Sequence, residues 1–212
     1  MTPSTPTTPG SPLRVMLIDD ENLIRSALAT MLSLEEDIDA VAQASSAAEG
    51  VRATSEHTPD VAVVDLQLPD GDGLEICAAI AEHSPATRCM ILTSHARPGY
   101  LKRALEQGIL GFLPKTTSAP QLAEAVRAVA AGRRAIDPEL AAETISSGDS
   151  PLTPRESDVL EYAADGASID QIARRAHLAE GTVRNYLSNA QAKLQASNRH
   201  EAVAIARRHG WI

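Results

Sequence analysis

From Arg14 onward, short apolar runs alternate with longer stretches in which apolar residues recur every three or four positions. The runs Val15–Ile18, Ile38–Ala42, Val61–Val64, Met90–Leu92 and Ile109–Leu113 have strand length, and each is followed by a segment of helical period. In the first such segment Leu23, Ile24, Ala27, Leu28, Met31 and Leu32 mark one apolar stripe. Five strands alternating with five helices predict an α/β fold with a five-stranded, doubly wound parallel sheet covered on both faces. Between Glu143 and Pro151 the period disappears while Gly, Ser and Pro accumulate, which predicts a linker. Beyond it the pattern is helical throughout, with helices expected at about 154–165, 168–176, 181–194 and 199–208. Thr153, Pro154 and Glu156 read as a capping box opening the first of these. The expected order is a Thr/Pro/Ser-rich disordered tail at 1–12, an α/β domain at 13–133, a helix and linker at 134–151, and a small all-α domain at 152–212.

Composition changes this picture in three places. One Phe, one Trp and three Tyr among 212 residues mean that the cores are built from Ala, Val, Leu and Ile, with little left for aromatic stacking platforms. The net charge of -9 argues against a nucleic-acid ligand until it is divided: residues 1–150 carry -10 and residues 151–212 carry +1. Such asymmetry points to separate jobs for the two parts. Cys77 and Cys89 match neither a zinc spacing nor a CxxC redox pair, so reduced, buried thiols are expected. The first dozen residues have neither the basic start nor the apolar core of a leader, and no apolar run approaches the ~18 residues of a membrane span. A cytoplasmic protein without membrane insertion is expected.

In a doubly wound sheet, ligands sit at the carboxyl ends of the strands near a topological switch point. Asp19 and Asp20 end the first strand and Asp65 ends the third, and in the flavodoxin-like order these strands are neighbours. Three crowded carboxylates repel unless a cation holds them, and an all-oxygen donor set suits Mg²⁺. Thr93 ends the fourth strand and Lys115 follows the fifth. A hydroxyl and an ammonium beside a metal-bound carboxylate are the donors that a phosphoryl group on that carboxylate needs.

Four segments in order, Asp19-Asp20, Asp65-Leu-Gln-Leu-Pro-Asp-Gly-Asp-Gly73, Leu92-Thr93-Ser94 and Gly111-Phe-Leu-Pro-Lys115, resemble the signature of the two-component response-regulator receiver domain over about residues 13–132. The resemblance implies that Asp65 accepts the phosphoryl group. It further implies that Asp20, Asp65 and the Gln67 carbonyl ligate Mg²⁺, with Asp19 acting through water. Thr93 and Lys115 would be the phosphate-sensing hydroxyl and cation, and Phe112 either a rotating switch aromatic or a core residue. Pro114 and Thr116 depart from the pattern, where many relatives carry an apolar residue and an Asp.

In the last segment Val183, Tyr186, Leu187, Ala190 and Leu194 form one apolar face, with Arg184, Asn185, Ser188 and Asn189 on the other. Such a polar face suits the major groove, where Arg pairs bidentately with guanine and Asn with adenine. Thr182 and Lys193 are better placed for phosphate. Ile172-Ala173, Leu178 and Gly181-Thr-Val-Arg-Asn-Tyr-Leu-Ser-Asn-Ala-Gln-Ala-Lys-Leu194 resemble the helix-turn-helix of the NarL/LuxR (FixJ) family, and Leu152-Thr-Pro-Arg-Glu156 and Asn198-Arg-His-Glu-Ala202 fit the same pattern. Ile169, Asp170 and Gln171 depart from it, and Asp170 would repel a DNA backbone.

Together the two resemblances imply a phosphorylation-switched transcription regulator. Its partners would be a sensor histidine kinase, promoter DNA and a second copy of the chain when phosphorylated. Leu23, Ala27 and Leu34 of the first helix, with Leu122, Val126 and Val129 of the last receiver helix, are expected to form the dimer surface or to pack in the core. Glu21-Asn-Leu-Ile-Arg25, Pro98-Gly-Tyr-Leu-Lys102 and Arg184-Asn-Tyr-Leu-Ser188 resemble the desaturase, membrane-fluidity subgroup. Two competing readings differ in chemistry. A haloacid-dehalogenase-like phosphatase needs an acid two positions after its nucleophile, where Gln67 stands, and a receiver that works without phosphate usually lacks an acid that this chain has.

Overall fold

The structure is a computed structural model that describes residues 11–146, 150–164, 166–209 and 211–212. Nearly all of the expected tail at 1–12, and the centre of the expected linker, lie outside the described residues. The chain divides into two compact units, one containing residues up to Ser94 with Ala104–Asp137, the other His95–Arg103 with Pro138–Ile212.

The first unit is built on β1 (Leu13–Ile18), β2 (Ile38–Ala44), β3 (Val61–Val64), β6 (Arg88–Thr93), β7 (Gly111–Pro114) and β8 (Ala135–Ile136), hydrogen-bonded in the order β2-β1-β3-β6-β7-β8. Every neighbouring pair is parallel. The sheet therefore has six strands instead of the expected five. The sixth, two residues long after Arg133 and Arg134, is too short to show a hydrophobic period. All four residues of β3 are buried, as a central strand covered on both faces requires. Between β3 and the next helix, Gln67–Leu68 (β4) pairs antiparallel with Gly71–Asp72 (β5) in a small hairpin that has no counterpart in the apolar pattern.

Helices α1 (Asn22–Leu32), α2 (Ala47–His57), α3 (Gly73–His83), α4 (Pro98–Glu106) and α5 (Ala119–Ala130) follow β1, β2, the hairpin, β6 and β7. Leu122, Val126 and Val129 of α5 are at most 1% exposed and belong to the same core as Val15, Leu17, Val63 and Met90. They are core residues and offer no dimer surface. Leu23 and Leu34, by contrast, are 83% and 79% exposed, and Ala27 is exposed too. The apolar stripe of α1 is wider than the face that meets the sheet, so part of it stands in solvent.

Helix α6 (Pro138–Ser146) runs through the first residues of the expected linker, and Thr144 Oγ1 donates to the Leu140 carbonyl oxygen at 2.7 Å. Helices α7 (Pro154–Ala164), α8 (Ile169–Arg175), α9 (Glu180–Lys193) and α10 (Arg199–Arg208) then match the four expected helices to within a residue or two. Their buried residues, among them Val159, Leu160, Ile172, Val183, Leu187 and Ala202, form one core. The capping box is present, with Thr153 N–H donating to Glu156 Oε2 at 2.7 Å and Glu156 N–H to Thr153 Oγ1 at 3.3 Å.

Candidate functional site

The sheet register assembles the acidic site. Ile18 is paired with Val64, and the Asp65 N–H donates to the Ile18 carbonyl oxygen at 2.8 Å, so Asp19 and Asp65 leave adjacent strand ends together. On the other side Val64 pairs with Ile91 and Thr93 with Pro114, and the Lys115 N–H reaches the Thr93 carbonyl oxygen at 2.9 Å. Asp65, Thr93 and Lys115 thus come from consecutive strands at one edge, although nothing in the local sequence joins them. Gly73, opening α3, permits this loop. A Cβ there would lie 2.2 Å from the Asp65 carbonyl oxygen, an approach that only glycine allows.

Lys115 Nζ sits 2.8 Å from Asp19 Oδ2, 3.0 Å from Asp65 Oδ2 and 2.8 Å from Glu21 Oε2. Oxygens of Asp19, Glu21 and Asp65 lie within 4.8 Å of one another. The remaining oxygens of the two aspartates are held from their own loops: Asp65 Oδ1 accepts from Leu66 N–H at 2.7 Å, and Asp19 Oδ1 from Glu21 N–H at 2.9 Å. Burial pushes the Asp65 carboxyl up to about 6 despite the Lys115 ammonium, and the charge of Asp19 adds to the rise. Asp19 is raised as well, by its own burial against the pull of Lys115. For Lys115 the attraction of Asp65, Asp19 and Glu21 outweighs burial and raises its value. One ammonium therefore faces more negative charge than it neutralises.

The expected residues fall as follows. Asp19, Asp65 and Lys115 meet directly. Thr93 is fully buried at its strand end, and Gln67 is 7% exposed in the hairpin just after Asp65. Asp20 is half-buried beside Asp19 but is not one of the three converging carboxylates. Phe112 is 1% exposed in β7, which places it in the interior in this structure. Glu21 is a member of the cluster that sequence reasoning misses. Its backbone N–H on Asp19 turns the loop back, and only the folded loop brings its carboxylate onto Lys115. The oxygen-rich, electronegative cluster fits a hard divalent cation, and Gln67 offers no acid two positions beyond Asp65 for phosphatase chemistry.

In the second unit, α8 and α9 are joined by a short turn in which His177 has φ +53°. On α9 Val183, Leu187 and Ala190 are buried and Tyr186 is half-buried, while Arg184, Asn185, Ser188 and Asn189 are exposed and Thr182 is half-buried. That is the face expected for groove contact. Arg184 pairs with Glu180 one turn back at 2.6 Å, both largely in solvent, so the pair is weak and its guanidinium can be released. Asp170 is paired with Arg174, which offsets the charge that would oppose a phosphate backbone. Lys193 is engaged elsewhere, 2.7 Å from Glu156, a carboxylate only 4% exposed.

A parallel sheet with this cluster at its carboxyl edge is a receiver domain, and the α8–α9 pair in its four-helix setting is a helix-turn-helix. Comparison with known proteins gives the same two parts: the response regulator receiver domain matches residues 15–127, and the bacterial regulatory proteins of the luxR family match residues 150–206. The chain is similar to the transcriptional regulatory protein DesR of Bacillus subtilis, 37% identical over 94% of this chain and 99% of that protein. It is 36% identical to the DNA-binding transcriptional activator DevR/DosR of Mycobacterium tuberculosis, over 92% and 94%. Among solved structures, a LuxR-family two-component response regulator from Aurantimonas superposes with a TM-score of 0.60 at 34% identity, covering 64% of this chain and 96% of that one. The chain belongs to the NarL/LuxR family of response regulators, whose members here are regulators of transcription and not enzymes. Among the described residues no helix is long and apolar enough to cross a membrane.

Proposed function

We propose that the chain accepts a phosphoryl group on Asp65, dimerises in response and binds promoter DNA to regulate transcription. The observation that carries this reading is the Lys115 ammonium lying on both Asp19 and Asp65 at adjacent strand ends. An Asp65 carboxylate oxygen attacks the donor phosphorus, the bond from phosphorus to the donor breaks, and an acyl phosphate forms. Lys115 then has a new phosphoryl oxygen to meet, and Thr93 at the neighbouring strand end has a hydroxyl to donate to another. Asp65, Asp20 and the Gln67 carbonyl, with Asp19 through water, would hold Mg²⁺, and the Glu21 carboxylate is close enough to join them. Bound there, the ion would neutralise charge on the phosphoryl oxygens. The donor in the cell is a sensor histidine kinase.

Incubation of the whole chain with acetyl phosphate and Mg²⁺, read by intact mass, tests the reading. One phosphoryl group should be added, and excess chelator should bring the labelling below detection. Undiminished labelling in chelator would remove Mg²⁺ from the proposal.

The helix-turn-helix with its exposed Arg184, Asn185, Ser188 and Asn189 supports DNA as the ligand, as does the similarity to DevR/DosR, a DNA-binding transcriptional activator. A C-terminal part with a net charge of +1 should hold one half-site weakly, because non-specific affinity grows with the phosphates neutralised. Two joined copies gain roughly 10²-fold or more through effective concentration. The dimer surface proposed is α1 with the turn after it, where Leu23, Ala27 and Leu34 stand in solvent. Half-sites are then about 10 bp apart centre to centre, or a multiple. Sedimentation of both forms should show a monomer before phosphorylation and a dimer after it, and a chain with Leu23→Asp should stay monomeric. If DNA affinity rises while both forms sediment alike, dimerisation is not the switch.

A further inference from the structure

Cys77 and Cys89 belong to no recognisable motif, yet the fold sets them side by side. Cys77 lies in the first turns of α3, Cys89 is the second residue of β6, and α3 packs on β6. The Cys89 thiol reaches the Cys77 carbonyl oxygen, with Sγ 3.9 Å from it. Both are free, Cys77 buried and Cys89 half-buried. They line one recess of about 190 Å³ together with Ala78, Ala81, Gln107 and Gly108. Gln107 and Gly108 are exposed, so the recess opens to solvent on that side.

We propose that Cys77 and Cys89 form an intramolecular disulfide on exposure to a peroxide, which makes this recess a redox modification site. The half-exposed Cys89 reacts first. Its sulfur takes one peroxide oxygen to become a sulfenic acid, and the first water leaves. The Cys77 sulfur then attacks the Cys89 sulfur, the S–OH bond breaks, the S–S bond forms and a second water leaves. Two thiols are oxidised and one peroxide is reduced, so the electrons balance. Cys77 is buried and so shielded from solvent oxidants, which leaves Cys89 as the thiol a peroxide meets first and Cys77 as the partner that resolves it. Ala78 and Ala81 add only small side chains to the lining of this recess. The link would join α3, which opens at Gly73 against the Asp65 carbonyl, to β6, which ends at Thr93.

The competing view is that both thiols are merely small apolar packing groups. The full chain, treated with hydrogen peroxide, denatured and alkylated with iodoacetamide, separates the two. Untreated protein should take two alkyl groups. Treated protein should take none, weigh less by two hydrogen atoms, remain monomeric on a non-reducing gel and yield one crosslinked peptide containing both cysteines. With Cys77→Ser the reaction should stop at a Cys89 sulfenic acid that a cyclic 1,3-dione captures, and with Cys89→Ser the buried Cys77 should remain a thiol. The proposal is overturned if both thiols of the folded wild type stay alkylatable at a peroxide concentration that oxidises the denatured chain. It is equally overturned if the only disulfide joins two chains, or if Cys89 is driven to sulfinic acid with no crosslink. The wild-type peptide map decides the matter even if a variant does not fold.

Discussion

Asp65→Asn should take up no phosphoryl group from acetyl phosphate under conditions where the wild type gains one, while keeping its fold. The amide is nearly the size of the carboxylate, and its carbonyl oxygen can still accept from Leu66 N–H, which the wild type holds at 2.7 Å. Its nitrogen, however, is a poor nucleophile and forms no acyl phosphate. Lys115 loses one of its three carboxylate partners and keeps Asp19 and Glu21, each 2.8 Å away. Stability should not fall. Burial raises the Asp65 carboxyl to about 6, so ionising it is harder in the folded chain than in the unfolded one, and its charge at neutral pH works against folding. Replacing that charge with a neutral amide should leave the melting temperature in chelator equal to or above that of the wild type. Intact mass reads the first expectation and calorimetry the second. A phosphoryl group that still appears on Asp65→Asn would move the acceptor to another carboxylate of the cluster.

Much of this site is legible in the amino-acid sequence, and the reason lies in the strand ends. Val61–Val64 is a run of aliphatic residues closed on both sides by aspartate, and its predicted limits are those observed. Once such runs are fixed, the residues that follow them must share the carboxyl edge of the sheet, so Asp19, Asp65, Thr93 and Lys115 group together from far apart. Less is visible where the backbone turns against the hydrophobic pattern. Ile109 and Leu110 look like the start of a strand, but Gly108 has φ +76° and the Ile109 N–H bonds back to the Ala104 carbonyl oxygen, so Ile109 closes the turn after α4 and β7 begins only at Gly111. The apolar residues of α5 suit a surface as well as a core in the sequence, because periodicity shows a stripe without showing what covers it. Glu21 and the Cys77–Cys89 pair are invisible there for a related reason, since each depends on how one loop or one helix packs.

On α9, Arg184→Ala should relax base preference at one operator position and cost roughly 1–3 kcal/mol against the preferred base. The Arg184 side chain is 60% exposed and its ion pair with Glu180, one turn away, is solvent-screened, so removing it leaves the helical core untouched. Lys193→Ala should behave differently. Sequence spacing suits Lys193 to a phosphate, which predicts weaker binding to all sequences alike and a lower salt slope. In the structure its ammonium also meets the buried carboxylate of Glu156, the residue that closes the capping box on Thr153. Truncation would leave that carboxylate with less compensation and lower the stability of the C-terminal domain by about 1 kcal/mol, a figure kept small because Lys193 is 39% exposed. The two substitutions are therefore distinguished by their readouts. Titrations against a panel of single-base operator variants should show a position-specific loss for Arg184→Ala and a uniform one for Lys193→Ala, and only Lys193→Ala should lower the melting temperature. If Arg184→Ala weakens every operator variant equally, its side chain contacts phosphate and the groove-facing assignment of α9 must be rotated. If Lys193→Ala melts like the wild type yet binds less tightly, its bond to Glu156 is dispensable and the lysine serves DNA alone.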